Sequence, residues 1–172
     1  MSDPLLPLPP LKTDPKYGYF PWWPEDGDAW VHPDDVAVAR SMIPSPRVWR
    51  RDGTVPATPE AYVFMHYGDI AIRVRRTLWK ELCPEGFDIG DHVEVRTRGM
   101  TNEHRVGVVR DVHWDEPAGV LQYFLSAADG HPVERAFAAI DLKHVEAPSP
   151  RTEFRIEPSG ETRTELEVED SA

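Results

Sequence analysis

Cysteine is almost missing from this 172-residue chain, where Cys83 stands alone. One thiol cannot close an intramolecular disulfide, and without a CxxC pair there is no cysteine knuckle for zinc. The histidines at 32, 66, 92, 104, 113, 131 and 144 are scattered and form neither HxxxH nor HExxH, so spacing supports no metal site. Long apolar runs are lacking too. None approaches the roughly 18 residues that a bilayer span requires. The opening MSDPLLPLPPLKTD has no basic n-region and is interrupted by prolines, unlike a secretory signal. A cytoplasmic protein without membrane contact is the expectation. Phosphate loops, nucleophile elbows and dinucleotide fingerprints are absent. Glu81 and Glu85 flank Cys83 and disfavour a reactive thiolate. No catalytic residue, cofactor site or metal ligand is assigned, and the chain is expected not to be an enzyme.

What is present describes a folded protein. Hydrophobic residues make up 40% and charged residues 28%, a globular balance. Eighteen prolines are about twice the usual share, and they cluster at the ends and between segments. The net charge is −11, which argues against general nucleic-acid binding. Its distribution is uneven, and residues 44–86 form the one stretch with a net positive charge.

Five segments can be drawn along the chain. Residues 1–16 read as a proline-rich, disordered arm. Residues 17–46 combine an aromatic strap, YGYFPWWPEDGDAW, with a short amphipathic helix at about 33–43. Pro33 suits the first helical turn, Asp34 and Asp35 its positive end, and Val36, Ala39 and Ile43 share one face. Residues 47–86 hold a three-stranded β segment: RVWRR, then YVFMHY and IAIRVR joined through Gly68-Asp69 as a hairpin. A faint echo of the following segment makes this a candidate second half-barrel. Residues 87–146 carry five short strands, with a single helical turn at IDL before the last. Residues 147–172 are acidic and poor in apolar side chains, and read as a disordered tail.

The run GDHVEV, RVGVVRDVHW, YFLSAADG, FAAIDLKHV resembles the small SH3-like barrels of the Tudor and KOW types. That resemblance implies a five-stranded barrel over 87–146 and no activity. The chain as a whole is also similar to an uncharacterised bacterial family built around PWWPEDG and such a barrel. The expected fold class is mainly β: one or two small SH3-like barrels, a short N-terminal α-helix and flexible termini.

Two sets of residues are candidates for binding. Tyr19, Trp22, Trp23, Trp30, Trp114 and Tyr123 are the candidate partner-binding aromatics, although the simpler reading packs the strap across the barrels. The resemblance implies an aromatic cage drawn from Trp114, Tyr123, Phe124 and Phe137, but alternation sends Tyr123 and Phe124 to opposite faces. Arg47, Arg51, Arg73 and Arg75, extending to Arg76, form a candidate basic face for RNA or DNA. Internal pairing with acids such as Asp34 and Asp35 is the competing reading. The expected role is a protein-interaction or assembly module, with nucleic-acid association or an accessory enzyme subunit as alternatives. The partner is expected to be another protein.

Overall fold

The computed structural model describes residues 14–52, 60–75, 79–99 and 103–148. Most of the proline-rich arm, Arg76 and nearly all of the acidic tail lie outside these residues. In chain order the elements are β1 (Lys16–Phe20), α1 (Gly27–Trp30), a 3₁₀ turn (Pro33–Asp35), α2 (Val36–Met42), β2 (Ser45–Arg51), β3 (Tyr62–Tyr67), β4 (Ile70–Arg75) and β5 (Lys80–Leu82). Then come β6 (His92–Val95), β7 (Arg105–Asp115), β8 (Val120–Ala127), β9 (Pro132–Phe137), a second 3₁₀ turn (Ala139–Asp141) and β10 (Leu142–His144). The fold is mainly β, as composition and alternation lead one to expect.

The strands form one antiparallel sheet in the order β10-β6-β7-β2-β1-β5, with β3 and β4 branching from β2 and β8 and β9 from β7. The closed barrel expected over 87–146 is not what forms. β6 to β9 run as a meander and β10 returns to β6, but β9 pairs with β8 alone, so this half stays open. The strand lengths supply the reason. β7 has eleven residues and β6 four, so β7 outruns its neighbour. Beyond β6, the same edge of β7 is taken by β2 through the Arg47–His113 pairing.

The helix, expected at the N-terminus, instead follows a strand. Tyr17, Gly18 and Tyr19 lie between β2 and β5, so this part of the aromatic stretch is inside the sheet, not strapped across it. Gly18 makes that possible. A Cβ there would run into the Lys80 carbonyl oxygen and sit 2.6 Å from the Trp79 ring. The helix itself forms where Pro33, Asp34 and Asp35 place it, and Val36, Ala39 and Ile43 turn inward together.

Burial divides into two cores that share β2. Successive side chains on a strand point to opposite faces. Trp49 enters a core with Phe20, Trp30, Met65, Ile72 and Val74. Its neighbour Val48 enters the other, with Val93, Val109, Leu121, Tyr123 and Leu125. Ile89 packs against both. The hairpin through Gly68 and Asp69 pairs every residue from Tyr62 to Tyr67 with one from Ile70 to Arg75, and Gly68 takes the positive φ that its turn needs.

Candidate functional site

The basic residues do not converge. Arg51 sits opposite Met65 and so shares the face of the first core, whereas Arg73 sits opposite the exposed Phe64 on the other face. Each arginine already has a neighbour. The Arg73 backbone N–H and Nε both donate to Asp35 Oδ2 at 2.8 Å, and its Nη2 donates to Asp35 Oδ1 at 3.1 Å. Asp34 Oδ2 adds a contact at 3.4 Å. The hydrogen bonds from Arg73 hold the Asp35 carboxyl below the usual carboxylate range. Arg47 lies over Tyr67 at 5.8 Å, Arg51 over Trp79 at 5.4 Å and Arg75 over Tyr62 at 5.4 Å. These cation–π contacts leave no joint basic face among the four named arginines.

The aromatic candidates separate into three environments. Trp30 is buried in the first core, edge-on to Phe20 at 5.3 Å. Trp23 covers Gly27, where a Cβ would meet the indole, and carries Arg40 at 5.6 Å. Trp22 is 47% exposed. Tyr19 and Trp114 do come together, with ring centroids 6.4 Å apart, although 95 positions separate them in the chain. They line an open groove of about 480 Å³ with Pro21, Pro46, His113 and Glu116. Tyr19 is 4% exposed, and its hydroxyl makes no well-formed hydrogen bond, with Lys80 and Glu116 acting on it only weakly. Lys80 Nζ donates to Glu116 Oε1 at 3.1 Å beside this ring. Their hydrogen bond raises the lysine pKa and lowers the glutamate pKa, but both groups are solvated, so the pair adds little stability.

Tyr123 belongs to a different hollow. It is fully buried in the second core and lines a cavity of about 80 Å³ at the seam between the cores, with Tyr17, Arg50, Glu85, Phe87 and Asp88. The Tyr17 hydroxyl donates to Asp88 Oδ2 at 2.7 Å, and Arg50 Nη1 stands 3.7 Å from the same oxygen. Burial pushes both phenols well above their ordinary pKa, followed by the hydrogen bond to Asp88 at Tyr17 and by the charge of Glu85 at Tyr123. Trp114 and Tyr123 therefore serve separate hollows and do not make one cage. Phe137 packs in the second core, while Phe124 lies tilted against His113 with ring centroids 4.8 Å apart.

Residues 8–143 match a family of unknown function, DUF6960. The chain belongs to that family. No curated protein and no solved structure matches it. In this DUF6960 chain, no described helix is long and apolar enough to cross a membrane. No group of three or more His, Cys, Asp or Glu side chains among the described residues is arranged to hold a metal.

Tyr17, Glu85, Phe87 and Asp88 were not singled out by the sequence. No local pattern marks them, because 71 positions separate Tyr17 from Asp88. Recognising β1 as a sheet strand would have supplied the signal. Its alternation places Tyr17 on the side of the second core and Phe20 on that of the first.

Proposed function

We propose that this DUF6960 protein is a non-enzymatic interaction module whose Tyr19–Trp114 groove takes an extended, proline-containing, basic segment of a partner protein. The buried Tyr19 hydroxyl without a well-formed hydrogen bond, beside Trp114 in an open groove of about 480 Å³, carries the reading. A buried hydroxyl left unpaired costs free energy that a ligand's acceptor would recover. Pro21, Pro44, Pro46 and Pro117 on the groove walls have no N–H, so they cannot extend a β-ladder to an added strand. A polyproline-type segment leaves its carbonyls free, and those suit a tyrosine donor and a flat indole. Asp115 and Glu116 line the same groove and favour a basic flank.

The finer fold reading belongs here as well. The half formed by β6–β10 is read as SH3-like in order, a four-strand meander with the fifth strand returning to the first. The second candidate role, nucleic-acid association, has less support, because Arg73 is committed to Asp35 and Asp34.

A calorimetric titration with a proline-rich decapeptide carrying one arginine tests the groove. Saturable binding is expected, weakened about tenfold or more in Trp114→Ala, the loss typical of an aromatic anchor. An alanine-substituted decapeptide binding equally well would overturn the reading.

A further inference from the structure

The cavity at the seam is not absorbed by the groove, and its chemistry differs. Its volume of about 80 Å³ compares with the roughly 10–15 Å³ that one water needs, so it accommodates a group of about five to eight heavy atoms. Three rings wall it. Phe87 stands edge-on to Tyr123, with centroids 5.6 Å apart at 71°, and His144 backs Phe87 at 4.5 Å. Tyr17 closes the wall from β1.

Two of the buried polar atoms left without a hydrogen bond belong to residues that line this cavity. His66 Nε2 has Asp52 Oδ2 within 2.8 Å. The Tyr123 side chain is fully buried with no well-formed hydrogen bond at its hydroxyl, and Glu85, an acceptor only, acts on the phenol both by its charge and as a weak hydrogen-bond partner. A buried hydroxyl whose oxygen accepts no hydrogen bond, on a cavity wall, is a place where a ligand's donor would be held.

The sign of the ligand's charge follows from the groups around that hydroxyl. Glu85 and Asp88 both act to disfavour a phenolate at Tyr123, so the local potential is negative. Arg50 sits at the Tyr17 end, between Asp88 at 3.7 Å and Asp52 at 3.7 Å, and is balanced by them. An anion would meet two carboxylates. A hard metal ion needs six or more oxygen ligands, and no such cluster converges among the described residues. A cation with apolar carbon fits both the rings and the carboxylates.

We propose that the cavity walled by Tyr17, Phe87 and Tyr123 binds a small organic ammonium group, with Glu85 facing its charge and the Tyr123 hydroxyl oxygen accepting one of its N–H bonds. The group arrives either as a free alkylamine or as the side chain of a lysine, and both present the same chemistry.

Aromatic proton shifts of Tyr123 and Phe87, followed by NMR on the full chain, test this with four probes: n-butylammonium, N-acetyl-lysine methylamide, butyrate and 1-butanol. Saturable shifts are expected with at least one of the first two, and none with butyrate or butanol at equal concentration. Tighter binding of butylammonium assigns the site to a free amine, and tighter binding of the lysine derivative assigns it to a protein side chain. Glu85→Gln, at an exposed position, weakens binding about tenfold, the size of one charge-assisted hydrogen bond. Tyr123→Phe keeps the ring and weakens it about three- to tenfold, with an unchanged or raised melting temperature showing that the fold persists. Trp114→Ala leaves amine binding intact, which separates this site from the groove. Butyrate or butanol binding as tightly as the amine, saturation by none of the probes, or an unaffected Glu85→Gln each overturns the proposal.

Discussion

The two cores that share β2 are built from different material. The first is aromatic, with Phe20 edge-on to both Trp30 and Trp49 at 5.3 and 5.9 Å. The second is largely aliphatic, with Val93, Val95, Val109, Val112, Leu121 and Leu125 inside. The second core also draws mainly on neighbouring hairpins, β6 through β9. The first gathers β1, two helices, β2 and the β3–β4 hairpin. Large rings suit that task, because each buries roughly 150–250 Å² and a few of them fill the gaps between elements that do not share a regular surface. A meander needs no such filler, since its alternating side chains already interdigitate.

Removing Trp49 is the strongest way to break this comparison. Trp49→Ala is expected to cost about 3–5 kcal/mol, measured by denaturant unfolding. Because Val48 on the same strand belongs to the other core, the methyl signals of Val109 and Leu125 should be lost in the same transition. Their survival after the first core unfolds would instead make the two cores independent units. Gly18→Ala probes the way the first core was assembled. The added methyl meets the Lys80 backbone and the Trp79 ring, so β1 must shift from β5. A loss of about 1–3 kcal/mol is expected in the same assay, with the second-core signals barely displaced.

The smallest of the three effects concerns Asp35, which ties the helix segment to β4. Asp35→Asn should cost about 1–2 kcal/mol at neutral pH, the range of charge-assisted hydrogen bonds. The acid dependence has a definite sign. Arg73 lowers the Asp35 carboxyl in the folded state, so the unfolded chain takes up that proton first as pH falls. The pair contributes fully above the ordinary carboxylate value of about 4 and is lost as pH drops through the depressed one. Unfolding free energies compared between pH 7 and pH 3 should therefore converge for the parent and the Asp35→Asn variant. A constant gap would assign the effect to packing.

Much of the second half was legible, for a physical reason. Val93 and Val95 flank Glu94, Leu121, Tyr123 and Leu125 fall on every second position, and a period of two is a local property. The same holds for the hairpin from Tyr62 to Arg75, whose Gly68-Asp69 turn is written in adjacent residues. The place of Tyr17–Phe20 was not legible. Aromatic residues beside prolines suit a strap as well as a strand, and nothing in KYGYF names β2 and β5 as neighbours. The candidate sites divide in the same way. Tyr19 and Trp114 were both singled out, but their meeting depended on β1 reaching β7's end of the sheet. Tyr123 was singled out for a cage with Trp114, whereas its cavity partners are Tyr17 and Phe87.

Taken alone, the chain determined the strands β2 to β4 and β6 to β10, the inward face of the helix through Val36, Ala39 and Ile43, and the turns at glycine. These depend on φ/ψ preferences and on periodicities spanning a few residues. Tertiary structure decided that β1 enters the sheet, that β2 divides two cores, that β7 offers its free edge to β2 and leaves the barrel open, and that a fully buried Tyr123 hydroxyl faces an acidic, ring-lined cavity. Backbone hydrogen bonds are alike for every strand, so the choice of partner rests on which distant side chains fit together once the chain has collapsed.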